Sequence, residues 1–125
     1  MVVAKSIEID AAHFLPNYEG KCRDLHGHRW KIELAVEGEV GEVSGMVIDF
    51  TDLKRFLDFI KERLDHHLIN DIIPNPTAEN ICLYVESELI KDDWGFNPDM
   101  WKWIRVWETR DSVAELRHAS TGMTS

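Results

Sequence analysis

The chain has 125 residues, 44% of them hydrophobic and 30% charged, with a formal net charge of −9. This suits one packed domain, residues 1–125, and the composition is not that of a disordered chain. The acidic balance argues against a nucleic-acid surface or docking on an anionic membrane, and no apolar run is long enough to cross a bilayer.

Residues 3–13 read as a half-buried strand. Val3, Ile7, Ile9 and Ala11 share one parity, while Ala4, Ser6, Glu8 and Asp10 share the other, with Lys5 interrupting the apolar side. His13 falls on the apolar parity. Pro16, Asn17 and Gly20 make 14–25 a loop. Residues 26–37 repeat the strand pattern: Trp30, Ile32, Leu34 and Val36 on one side, Arg29, Lys31, Glu33 and Glu37 on the other, and His26 and His28 on the apolar side. Glycines 38, 41 and 45 mark turns, and residues 46–50 read as a short extended run.

Leu53, Phe56, Leu57, Ile60 and Leu64 have helical spacing, which predicts a helix over 52–64 with Thr51 or Asp49 as its cap. Pro74 and Pro76 break the chain, and Thr77 caps a second helix over 78–91 that ends before Gly95, Asn97 and Pro98. Residues 100–109 form a third strand, with Trp101, Trp103 and Trp107 on one parity and Ile104 and Val106 on the other, so both faces are expected to be covered. Residues 112–118 make a fourth. Strand, strand, helix, helix, strand, strand is an α+β order. Its free edges and tryptophan-rich face predict oligomerisation through edge strands.

The chemistry concentrates in a few places. His26 and His28, two residues apart, put two imidazoles on one strand face, and His13 joins them if the first two strands pair antiparallel. Three neutral imidazoles favour zinc over magnesium or calcium and leave a position open for water or substrate. The alternative is a set of hydrogen-bonded core histidines.

The two cysteines, with no Cys-x-x-Cys pair and a polar N-terminal start, are expected to be free thiols in a reducing cytosol. Cys22 lies between Lys21 and Arg23, which favour the reactive thiolate; the alternative, a packed small hydrophobe, is the expectation for Cys82. In Asp65-His66 a carboxylate could orient an imidazole, with His67 a competitor for the role and simple solvated helix-end groups the bland alternative. Glu108 sits on an apolar parity and needs a partner: either a ligand with two parallel N–H groups, or Arg105 or Arg110.

These residues carry a resemblance. His13 in Asp-Ala-Ala-His-Phe-Leu-Pro, then Cys22-Arg-Asp-Leu-His-Gly-His28, Leu-Asp-His-His, Pro-Thr-Ala-Glu-Asn and Trp-Glu-Thr follow one another over nearly the whole chain. The chain resembles the 6-pyruvoyl-tetrahydropterin synthase family. The three residues between Cys22 and His26 make it more similar to the 6-carboxy-tetrahydropterin synthase branch. The resemblance implies the tunnelling fold: a four-stranded antiparallel sheet with two helices in β-β-α-α-β-β order, sheets joined into a trimeric barrel, two trimers stacked as a homohexamer, and active sites between subunits.

It also implies roles. His13, His26 and His28 hold Zn2+. Cys22 is the proton-abstracting base, and Asp65 and His66 relay protons. Glu108 grips the pterin's 2-amino and N3 edge, with Thr77 and Thr109 lining that pocket. The implied substrate is 7,8-dihydroneopterin triphosphate, converted to 6-carboxy-tetrahydropterin with loss of acetaldehyde and triphosphate, towards a modified deazapurine of tRNA. Lys21, Arg23 and Arg29 are candidates for holding the triphosphate. The same site in this family also serves pyruvoyl-tetrahydropterin formation or cleavage of dihydroneopterin. A non-catalytic pterin- or metal-binding protein and a metal hydrolase are readings of other classes.

Overall fold

The computed structural model describes residues 1–20 and 24–119. The elements are β1 (Val2–His13), β2 (His26–Glu37), α1 (Phe50–Leu64), α2 (Ala78–Lys91), β3 (Trp101–Thr109) and β4 (Ser112–Arg117), with short 3-10 turns at Ile69–Asp71 and Pro98–Met100. The strands form one antiparallel sheet in the order β1-β2-β3-β4. The α+β order expected from the pattern is the order observed.

Periodicity explains the layers. One parity of the sheet contributes Ile9, Trp30, Ile32, Leu34, Ile104 and Val106 to the core. The apolar stripes of the helices, Leu53, Phe56, Leu57, Ile60 and Leu64 from α1 and Ile81, Val85 and Leu89 from α2, close over it. The opposite face carries ion pairs: Arg29 with Glu8 and Asp10, and Arg105 with Glu33 and Glu115.

Three local expectations need correction. Residues 46–50 are not extended; Asp49 Oδ1 accepts the Thr51 N–H at 2.8 Å and starts α1 at Phe50, two residues earlier than the apolar spacing shows. Val47 and Ile48 pack against the core instead of pairing. The three tryptophans of β3 do not share a face. Val36 pairs with Trp101 and Ala35 with Trp103, so one extra residue bulges out between them. Trp101 is thereby turned into the core, while Trp103 and Trp107 stay on the outer face.

The outer pair is covered within the chain. Trp103 Nε1–H donates to Glu33 at 2.8 Å beneath the Arg105 guanidinium, and the Lys31 ammonium lies 4.7 Å from the Trp107 ring centre. The two 3-10 turns were not expected, because three residues carry no readable period.

Leu57 is fully buried between helix and sheet. Leu57→Ala is expected to lower unfolding free energy by about 2–5 kcal/mol, read from the shift of the urea midpoint at unchanged slope.

Candidate metal centre and active site

The β1–β2 ladder ends on the histidines. His13 lies directly across from His26, and His28 faces Ala11 one pleat further in. All three are on the inner face, where Trp30 backs them: its ring centre is 4.8 Å from His13 and 5.5 Å from His28, both edge-on, and its Nε1–H donates to the Ala11 carbonyl. One candidate ligand atom from each histidine falls within 4.8 Å of the other two.

Hydrogen bonding fixes which nitrogens face inward. His13 Nδ1–H donates to the Pro76 carbonyl at 2.8 Å and His26 Nδ1–H to the Asp24 carbonyl at 2.7 Å. Carbonyls only accept, so each ring keeps its proton on Nδ1 and presents an Nε2 lone pair. Those two Nε2 atoms are 3.1 Å apart. His28 Nε2 is buried and has no hydrogen-bond partner among the described residues. Lone pairs converging at this distance repel unless a proton or cation sits between them. Burial holds the pKa of His13 and of His28 below the ordinary histidine range, so both favour the neutral form that binds metal. The donor set fits a divalent metal of the imidazole-preferring class. The hydrogen-bonded core alternative leaves His28 Nε2 without a partner among the described residues.

Glu108 completes the cluster. It follows Val106 on the inner parity of β3, and its Oε2 lies 3.4 Å from His13 Nε2 and 3.9 Å from His28 Nε2. The alternative partner Arg105 is on the other face with Glu33 and Glu115. Glu108 also lines a pocket with Leu15, Tyr18, Thr77, Glu79 and Ser112. Thr77 reaches it because its hydroxyl caps α2, accepting from the Asn80 N–H at 3.0 Å. Tyr18 and Glu79 were missed in the sequence. Glu79 had a weak signal, lying two residues after the Thr77 cap; Tyr18 had none.

Thr109 is not in this pocket. It alternates with Glu108, faces the other way, hydrogen-bonds Asp111 at 3.0 Å, and lines an outer-face hollow with Arg29, Lys31, Trp107 and Arg110. Arg29 is engaged by Asp10 through two hydrogen bonds, at 3.1 and 3.2 Å. Lys21, Cys22 and Arg23 lie outside the described residues. Cys82 is the packed thiol expected, and burial pushes its pKa up to about 11.

Asp65 and His66 belong to a strap that leaves α1 and runs beside β1. Asp65 Oδ1 accepts the Asp10 N–H at 2.8 Å, His66 N–H donates to the Asp10 carbonyl at 2.7 Å, and Ala12 N–H donates to the His67 carbonyl. His66 adopts a left-handed backbone with φ 58°, which turns the chain out of the helix. Its Nε2 stands 3.6 Å from Asp65 Oδ2, an ion-pair separation rather than a hydrogen bond. His67 Nδ1 instead bonds the Asp65 backbone carbonyl. His66 and His67 line a hollow with His28 and Arg29.

The histidine pKa shifts have a stability consequence. Unfolded histidine titrates near about 6.5. His13 and His28 hold lower values when folded, so below that pH the unfolded chain binds more protons and stability falls. Chelator-treated protein is expected to unfold at lower urea at pH 5.5 than at pH 7.5. An unchanged midpoint would mean that the buried imidazoles titrate like exposed ones.

Comparisons with known proteins identify the family. Residues 2–119 match the family model described as 6-pyruvoyl tetrahydropterin synthase. A candidate 6-carboxy-5,6,7,8-tetrahydropterin synthase of Archaeoglobus fulgidus is 42% identical over 117 residues, covering 94% of this chain and 96% of that protein. The dihydroneopterin monophosphate aldolase of Pyrococcus furiosus is 38% identical, covering 86% and 89%. The solved 6-pyruvoyl tetrahydropterin synthase of Caenorhabditis elegans superposes with a TM-score of 0.85 over 95% of this chain and 96% of its own, at 23% identity, and so shares the tunnelling fold. The chain belongs to the 6-pyruvoyl tetrahydropterin synthase family, enzymes whose lyase chemistry acts on pterins.

Proposed function

We propose that the protein is a zinc-dependent lyase that converts 7,8-dihydroneopterin triphosphate to 6-carboxy-5,6,7,8-tetrahydropterin, releasing acetaldehyde and triphosphate. The observation that carries the reading is the adjacency of Glu108 to the histidines, at 3.4 Å from His13 Nε2, on the wall of a pocket it shares with Thr77. A carboxylate there can take the paired N–H groups of a pterin edge and hold the six-position side chain beside the metal centre. Zn2+ held by His13, His26 and His28 would supply Lewis acidity towards the side-chain hydroxyls.

The chain's own groups do the rest. Cys22, flanked by Lys21 and Arg23, takes a proton from a side-chain carbon, an assignment that rests on the resemblance. His66, beside the Asp65 carboxylate that the Asp10 amide fixes, receives and returns protons. Arg23 and Lys21 are the cations proposed for the triphosphate, because Arg29 is already balanced by Asp10 and Glu8.

We also propose a cytoplasmic homohexamer of two trimers. Leu83 and Val113 are half-exposed on α2 and edge strand β4, and an apolar hollow lies between these elements beside Leu116. Such an edge suits pairing with another copy. No described helix is long and apolar enough to cross a membrane. The product is proposed to feed synthesis of a modified deazapurine of tRNA.

One observation favours a second reading. The Pyrococcus furiosus relative is named for cleavage of a dihydroneopterin monophosphate, so the same site here would break the side chain of the monophosphate by an aldol route. Incubation of zinc-loaded protein with the triphosphate and the monophosphate, followed by mass spectrometry, separates the two. The carboxy product from the triphosphate is expected. A cleaved pterin from the monophosphate alone would replace it with the second reading, and binding without turnover would make the protein a pterin-binding one.

Cys22→Ala is expected to lower turnover by at least about 100-fold with zinc content unchanged, as loss of a general base does. Glu108→Gln is expected to weaken pterin binding while the three imidazoles still hold the metal.

A further inference from the structure

Beyond the parallel bridge between Ala12 and Leu68 the strap stops pairing with β1 through its backbone, because it coils into the 3-10 turn Ile69–Asp71. Phe14, the residue after the ligand His13, is therefore left beside β1's edge without a backbone partner from the strap. A side chain takes over. Asn70 Oδ1 accepts the Phe14 N–H at 3.0 Å, and Asn70 Nδ2 donates to the Phe14 carbonyl at 2.9 Å. The same Nδ2 donates to the Pro74 carbonyl at 3.4 Å. A flipped amide would set its nitrogen against an N–H and its oxygen against two carbonyls, so this network admits one orientation.

Two residues beyond Pro74 is Pro76, buried, whose carbonyl takes the His13 Nδ1–H. One primary amide thus closes a loop that runs from Phe14 through Asn70 to Pro74 and Pro76 and back to His13. It bonds the residue next to the ligand and braces the turn that supplies the ligand's outer partner. Outer partners of this kind set the tautomer and aim of a metal-binding imidazole.

We propose that Asn70 is a positioning residue of the metal centre, holding His13 in the Nδ1–H tautomer with Nε2 directed at the ion. This rests on reading the three histidines as a metal centre. Asparagine suits the task because it offers an acceptor and donors on one short arm. Aspartate keeps the acceptor towards Phe14 N–H but turns a second oxygen on the Phe14 and Pro74 carbonyls. Alanine removes both contacts.

The test compares wild type, Asn70→Asp, Asn70→Ala and Arg55→Ala. Arg55 is a comparable side-chain tie elsewhere in the fold, donating to the Trp94 carbonyl at 2.9 Å. Zinc affinity is measured by competition with a chromophoric chelator below each variant's melting temperature. The His13 tautomer is read in metal-free protein from long-range 15N–1H imidazole correlations.

Both Asn70 variants are expected to bind zinc roughly 10–100-fold more weakly and to show a mixed His13 tautomer. Arg55→Ala is expected to melt earlier with zinc affinity and tautomer unchanged. Asn70 variants that only melt earlier, with zinc affinity and tautomer as in wild type, would overturn the proposal. If wild type itself binds no zinc while the Asn70 variants shift the tautomer, the positioning role stands and the metal reading fails. Should Asn70→Ala not fold, Asn70→Asp, which keeps the Phe14 N–H contact, decides the matter.

Discussion

Everything at the site depends on the register of the β1–β2 ladder. Side-chain direction alternates along a strand, so sliding one strand by a single residue would move every side chain it carries to the opposite face. With His13 opposite His26, all three imidazoles share one face and their inward nitrogens converge. Both faces of the ladder select this register. Inside, Ile9 meets Trp30 and Ile7 meets Ile32; outside, Asp10 meets Arg29 and Glu8 meets Lys31. The inner pairs carry most of the energy, since burying a large apolar side chain is worth about 1.5–3 kcal/mol whereas solvent screens the outer ion pairs.

Register alone would leave the imidazoles free to rotate. Their aim comes from groups behind them: the Pro76 and Asp24 carbonyls on Nδ1 and the Trp30 indole against the rings. Trp30 is itself pinned by its bond to Ala11, directly across from His28. These partners come from three separate stretches of chain, so the centre is as rigid as the packing among them. Rigid presentation of a ligand set before binding is what lets a small domain hold a metal without reorganising.

The strap after α1 has two consequences. It seals the edge of β1 from Asp10 to Phe14, through Asp10, Ala12 and then the Asn70 amide. It also delivers Asp65 and His66 to the end of the sheet where the histidines stand. A left-handed residue at His66 makes the reversal possible, and it sits in a segment with a proposed chemical role, as local backbone strain often does. The hexamer proposed for this chain would therefore use the strand edges away from the strap.

The sequence by itself determined the element order, the cap at Thr77, and the apolar parity of His13, His26 and His28 within their own strands. These are local properties, readable because a strand repeats every two residues and a helix every 3.6. Local periodicity also set Glu108 on the inner face, but it left open whether arginine or a ligand would be its partner. Only the tertiary structure sent Arg105 to the outer face and brought the histidines alongside Glu108. It likewise separated Trp101 from Trp103 with a bulge, moved Thr109 away from Thr77, and revealed the Asn70 loop behind His13. Each of these depends on which distant segment lies across a strand, and that choice is made by packing the whole core rather than by any repeat along the chain.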